Sequence, residues 1–133
     1  MKPFEIPYNF DKQLIDFLNI YKIDIHCIYL PPFQNHYITT RHFYRSLMGT
    51  FPLDLLEYEK HIDNMIQNNF NPMLLLQRPD KLLPKELVRY YINIGIKTFC
   101  VGSIEQANII KEVKNDVEII GSIVMQINNE KLK

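Results

Sequence analysis

The hydrophobic residues of this chain follow two periods, one typical of strands and one typical of helices, and the two alternate along its length. Short runs of apolar and β-branched residues predict strands near residues 24–30, 72–77, 98–101 and 118–124. Apolar residues at helical spacing predict one helix before each strand. These helices start after Asp11, at about Asp54, at Pro84 and after Ser103.

Local start and stop signals agree with these elements. Two consecutive prolines end the first predicted strand, and Gly95 lies just past the third predicted helix. Ser103 and Gln106 have the spacing of a capping box, which opens a helix. The connection over residues 31–52 is long for a compact domain, which indicates a functional loop or a poorly ordered one.

The alternation of helices and strands predicts an α/β fold with four parallel strands. Strands joined by helical crossovers run parallel with right-handed connections, and their near-continuous apolar character indicates that both faces are covered. Such βα units form either a small open sheet or part of a (β/α)₈ barrel. Since a whole barrel needs about 250 residues, residues 1–133 are predicted to be a single partial, half-barrel-like domain.

Composition narrows the class of protein. The apolar fraction of 47% and the charged fraction of 23% are typical of a folded globular domain. The 15 basic and 15 acidic residues cancel, which argues against nucleic acid or an anionic membrane as a partner. No signal peptide or membrane-spanning stretch is apparent. Cys27 and Cys100 lie within apolar runs and are expected to be buried free thiols, so a cytoplasmic location is expected.

The order of segments resembles the N-terminal half of the collagenase-like peptidase family. The similarity is carried by residues 8–33, the segment around Arg41, and residues 56–77 and 87–128. It implies a TIM-barrel fold and a peptidase-like activity. Members of that family often carry a cysteine cluster later in the chain, which in some holds an iron–sulfur centre. This sequence has no such cluster, so no cofactor is predicted.

A second resemblance is to the pyridoxal-phosphate barrels of alanine-racemase-like proteins. Their strands and helices are similar to residues 99–112, FCVGSIEQANIIKE. The lysine that this class uses for its Schiff base is not evident in residues 23–32, IDIHCIYLPP. The collagenase-like resemblance is therefore preferred.

A candidate ligand site follows from where barrel proteins place their chemistry, at the carboxyl ends of the strands. Gly102 and Ser103 follow the third predicted strand and precede a helix, whose N–H groups suit a phosphate or carboxylate. Arg41 and Arg78 follow the first and second strands and could grip the same anion. The alternative is that Ser103 caps its own helix, Gly102 permits the turn and the arginines are solvated or pair with nearby acids.

The histidines give no clear site. His36 and His42 lie in the long connection, but no acidic residue occurs there to complete a metal site, so no metal is predicted. General-base use of His36 lacks an identifiable nucleophile and orienting acid. His26 is expected to be packed or to line the barrel interior, and His61 is expected to be exposed on its helix.

Three functions stay open from the sequence. The chain is an enzyme with an anion-binding rim completed by another chain or copy, a non-catalytic half barrel that self-associates or pairs with a complementing chain, or a partial barrel without independent activity. The absence of a second barrel half and of the cysteine cluster favours the last two. A small anionic ligand is the expected binding partner if one exists.

Overall fold

The structure is built from strands and helices that alternate along the chain. The computed structural model describes residues 4–33, 54–76 and 83–121. Within these residues there are five strands and four helices. The strands are β1 (Phe4–Pro7), β2 (Ile25–Leu30), β3 (Pro72–Leu75), β4 (Thr98–Val101) and β5 (Glu118–Gly121). The helices are α1 (Lys12–Ile20), α2 (Leu55–Gln67), α3 (Lys85–Asn93) and α4 (Ile104–Val113).

The strands form one parallel sheet in which the spatial order is the sequence order, β1-β2-β3-β4-β5. Each strand pairs with the strand that follows it along the chain, with partners such as Ile28 and Pro72, Leu74 and Phe99. In the described residues, one helix lies between each two successive strands. The predicted α/β class with parallel strands and helical crossovers is confirmed.

The predicted number of strands is wrong, because the described residues contain five strands rather than four. The additional strand is β1, which pairs with β2. It has only four residues, follows Pro3 and ends at Pro7. It therefore lacks the apolar run by which a strand is recognised in a sequence. The four predicted strands are all present, and residues 77 and 122–124 of their predicted ranges lie outside the described part.

The helices begin where side-chain oxygens accept hydrogen bonds from the first turn. Asp11 accepts from the Gln13 backbone N–H at 3.0 Å, and Asp54 accepts from that of Glu57 at 2.8 Å. These bonds satisfy donors that a helix leaves unpaired at its start. The caps therefore fix the chain's entry into α1 and α2 where the sequence predicts them.

Two faces of the sheet pack differently. One face carries Ile28, Leu74 and Phe99, which are buried against apolar residues of the helices. The opposite face contributes a separate cluster made only of strand residues, here called the helix-free face. It consists of Cys27, Met73 and Cys100, with Tyr29, Leu75 and Ile120 packed against them. All four described helices thus pack on one side of the sheet, which is the arrangement of a (β/α) barrel wall.

The helical spacing of Leu14, Phe17, Leu18 and Tyr21 predicts that these residues form the apolar side of α1, but the buried side is a different one. Ile15 and Leu18 are buried, whereas Phe17 and Tyr21 are 49% and 65% exposed and contact each other with ring centroids 4.7 Å apart. The helix is rotated because Leu14 and Ile15 together complete the inward face with Leu18. None of the helices in the described ranges has the length and apolar character to cross a bilayer.

Candidate functional site

The carboxyl ends of the strands and the segments that follow them lie at one end of the sheet, here called the rim. Gly102 and Ser103 lie on it directly after β4. Ser103 Oγ accepts from the Gln106 backbone N–H at 3.2 Å, and the Gly102 N–H donates to the Gln106 side-chain oxygen at 2.7 Å. Gln106 is buried, so its side-chain bond to Gly102 is shielded from water. Two of the donors predicted to face an anion are thus used within the chain.

The predicted capping box is present in a modified form. The serine caps α4 as the sequence indicates, but the Gln106 side chain binds the N–H of Gly102 rather than that of Ser103. The junction therefore closes the turn between β4 and α4. These two bonds do not use the N–H groups of Ser103, Ile104 and Glu105 at the start of α4.

Arg41 and Arg78, the other two members of the predicted anion site, lie outside the described residues, as do His36 and His42. Most of the long connection over residues 31–52 lies there too; its described part, Pro31–Phe33, is buried. Convergence of the two arginines with Gly102 and Ser103 therefore stays a prediction.

A buried polar pair on the rim was missed by the sequence analysis. The hydroxyl of Tyr8, one residue past β1, hydrogen-bonds the Nδ1 of His61 on α2. Burial raises the pKa of Tyr8, and the Asp11 carboxylate adds to the effect. The Nε2 of His61 lies 3.9 Å from the Glu57 carboxylate. The prediction that His61 is exposed is wrong, because its side chain is 7% accessible.

Aromatic rings close the rim around this pair. Phe10 contacts both Tyr8 and His61 edge to face, with ring centroids 5.1 and 5.5 Å away. The hydroxyl of Tyr58 donates to the Pro31 carbonyl at 2.7 Å, and that of Tyr91 accepts from the Phe33 N–H at 2.7 Å. These bonds anchor the start of the segment after β2 against α2 and α3. The pair is enclosed by packing, which assigns it to the architecture rather than to ligand binding.

The two thiols lie on the helix-free face. Cys27 and Cys100 are free and buried, which confirms the prediction for them. Burial, aided by the Glu5 and Glu118 carboxylates, raises the pKa of Cys27 to about 12. Burial and the Glu5 carboxylate raise the pKa of Cys100 to about 11. A thiol with such a pKa is protonated near neutral pH, so neither is an activated nucleophile.

The class of protein follows from these features: a partial (β/α) barrel, with five consecutive parallel strands and helices on one face. Comparison with solved structures agrees. The chain is similar to the structure of the U32 peptidase Mk0906, with a TM-score of 0.61 and 12% sequence identity. The match covers 94% of this chain and 50% of that one, so this chain spans half the length of the solved relative.

The likeness to a U32 peptidase confirms the resemblance to the collagenase-like family and its TIM-barrel-like fold. At 12% identity it establishes the fold alone. No protein-family model and no curated protein sequence matches the chain.

Proposed function

We propose that this chain is a half-barrel module that does not catalyse a reaction by itself and associates with a second half barrel. The observation that carries the proposal is the match of nearly the whole chain to half of a barrel protein. A (β/α)₈ barrel closes only with eight strands, and five are described here. Closing an eight-stranded ring needs three further strands, which a complementing chain or part of a second copy of this chain would supply.

The edges of the sheet support this proposal. Within the described residues, β1 pairs only with β2, and β5 pairs only with β4. The outer backbone N–H and C=O groups of such edges are a template for pairing with another strand. Tyr29, Leu75 and Ile120 on the helix-free face between the two edges are only partly buried, and a second half barrel would cover them further.

The rim supports the absence of independent catalysis. Several of its described polar groups form hydrogen bonds within the chain, namely Tyr8 with His61, and Gly102 and Ser103 with Gln106. Barrel enzymes assemble catalytic residues from several strand ends around the whole ring. A half barrel supplies only part of such a ring.

The test is the oligomeric state, measured by size-exclusion chromatography with light scattering. We expect wild type to form a dimer or larger assembly. The Glu118 N–H donates to Lys97 of the neighbouring strand segment, so the alternating N–H of Gly121 points to the outer edge of β5. Gly121→Pro should therefore weaken association, whereas Gly121→Ala, which keeps the N–H, should not.

A monodisperse wild-type monomer that unfolds cooperatively would contradict the proposal. So would an assembly that Gly121→Pro leaves unchanged, because association would then not use the β5 edge. The proposed absence of independent catalysis is checked by incubating the purified chain with a fluorogenic collagen-like peptide, which we expect to remain uncleaved. Hydrolysis that follows the protein peak would show independent catalysis.

A further inference from the structure

An irregularity in strand pairing places three different metal-binding side chains together near the amino-terminal ends of the strands, opposite the rim. Phe4 pairs with Ile25, but the next residue, Glu5, pairs with Cys27, so the register shifts by one residue. His26 is the extra residue. A bulge of this kind re-aims a side chain that regular alternation would send to the other face.

The result is a compact cluster of donors. A carboxylate oxygen of Glu5, a ring nitrogen of His26 and the sulfur of Cys27 all lie within 4.8 Å of one another. In a regular strand, His26 and Cys27 would point to opposite faces of the sheet. The bulge is therefore the reason why β1 and β2 present three ligand types at one point.

A fourth donor reaches the same cluster from β5. The Glu118 Oε1 lies 3.6 Å from the His26 Nε2, although two strands separate β2 from β5. Thr98 donates to the same Glu118 oxygen at 3.2 Å, and Asn71 donates to Thr98 at 2.8 Å. Hydrogen bonds of this kind orient the carboxylate ligands of metal sites.

One atom of this chain of hydrogen bonds has no partner. The Asn71 side-chain oxygen is buried and accepts no hydrogen bond from the described residues. Buried acceptors are nearly always satisfied, by protein or by ordered water. This acceptor belongs to a residue that is linked to the Glu118 carboxylate through Thr98, and a water bound at this end of the sheet would satisfy it.

We propose that Glu5, His26 and Cys27 bind a zinc ion near the amino-terminal ends of the strands. Glu118 is the fourth ligand, directly or through water. Imidazole, thiolate and carboxylate are the ligands of Zn²⁺ in proteins. Ligand atoms around tetrahedral zinc are about 3.5 Å apart, so the side chains need to close by only about 1 Å. Two carboxylates also give the cluster the negative charge that a divalent cation favours.

Access to the site comes from solvent. The side chains of His26 and Glu118 are 41% and 48% exposed, whereas Cys27 is fully buried behind them. An ion would therefore enter past the exposed side chains of His26 and Glu118 and reach the Cys27 sulfur after them. Because its ligands come from β1, β2 and β5, the ion would link the two outermost strands of the described sheet.

The test is titration of the untagged, metal-free chain with Co²⁺ and with Zn²⁺. We expect one equivalent of Co²⁺ to produce the near-ultraviolet band of thiolate–cobalt charge transfer, and Zn²⁺ to displace it. His26→Ala and Cys27→Ser should each lower Zn²⁺ affinity by more than about 100-fold, since losing even an outer-shell partner costs 10–100-fold. Cys100→Ser is the matched control, a second buried thiol on the same face, and should bind as wild type does.

A second readout covers variants that fold poorly. Zinc should raise the melting temperature of wild type and Cys100→Ser but not of Cys27→Ser, with far-ultraviolet circular dichroism confirming that each variant is folded. Absence of the cobalt band in wild type would overturn the proposal. Binding that persists in both His26→Ala and Cys27→Ser, or that is lost in Cys100→Ser, would overturn it as well.

Discussion

At the scale of single residues, the Tyr8–His61 pair has the clearest energetic role. Tyr8 is fully buried and its hydroxyl bonds an imidazole that is itself almost inaccessible. A buried hydrogen bond contributes modestly when formed, but removing one partner is costly because the other has lost its water. The pair ties the end of β1 to α2 across 53 residues of sequence.

Tyr8→Phe is expected to lower the free energy of unfolding by about 1–2 kcal/mol, since it removes the hydroxyl and keeps the ring. Urea denaturation followed by circular dichroism measures the change. Tyr21→Phe is the matched control, because Tyr21 is 65% exposed, and it should alter stability by less than about 0.5 kcal/mol. Equal stability of the two variants would show that the Tyr8 hydroxyl contributes nothing.

The sequence contains only part of the information needed to find such residues. His61 adjoins Ile62 on the face of α2 that also carries Tyr58 and Met65, so the helical period is compatible with its burial. Its partner could not be foreseen, because Tyr8 follows a strand too short to be recognised. Likewise, the positions of His26 and Cys27 depend on a bulge, and a bulge leaves no trace in an alternation pattern.

At the scale of elements, the turn after α3 depends on one glycine. Gly95 has a φ of +114°, a conformation that side chains with a Cβ rarely adopt. An added Cβ would also overlap the Cδ1 of Ile66 on α2. The glycine thus allows α3 to end sharply while α2 packs closely against the turn.

Gly95→Ala is expected to destabilise the fold by about 2–3 kcal/mol, through backbone strain and crowding of Ile66. Asn69→Gly is the control: Asn69 follows α2 with a φ of +64°, which glycine adopts freely. That variant should change stability by no more than about 0.5 kcal/mol. Thermal unfolding of both distinguishes them, and an alanine variant as stable as wild type would contradict the strain argument.

Helix starts were predictable, whereas the details of strands were less so. Asp11, Asp54 and Ser103 cap their helices as the sequence indicates, since capping depends on residues within one turn of each other. The strand count and the inward face of α1 were not, because both depend on contacts between distant segments. Helix caps can be predicted from a single sequence because they depend on neighbouring residues, whereas the pairing of distant segments cannot.

At the scale of the whole molecule, the predicted anion site is a property of the rim. Arg41, Arg78 and the start of α4 would have to converge there, although the chain carries no net charge. With the Gly102 N–H donating to Gln106 and the Gln106 backbone N–H donating to Ser103, the arginines would supply most of the binding energy.

Phosphate affinity, measured by isothermal titration calorimetry, is expected to fall by about tenfold or more in Arg41→Ala and in Arg78→Ala. Arg89→Ala is the control, since Arg89 lies on α3, is 56% exposed and faces Glu86 at 4.0 Å. Unchanged affinity in both loop variants would retire the anion site, as would an equal loss in the control.

The barrel-like architecture was predictable from the alternation of elements, but the order of strands was not. An open sheet and a barrel wall have the same sequence pattern, and only the pairing distinguishes them. The described strands are consecutive, so the barrel-like alternative is the one that holds.

Consecutive strand order also bears on how the chain folds during synthesis. Each strand can pair with the one already made, without waiting for a later strand to insert between them. The pairs differ in the length of chain between them: Thr98 meets Glu118 after 20 residues, whereas Cys27 meets Met73 only after 46. Because closing a longer loop costs more entropy, joining β2 to β3 should be the slowest step as the nascent chain emerges from the ribosome.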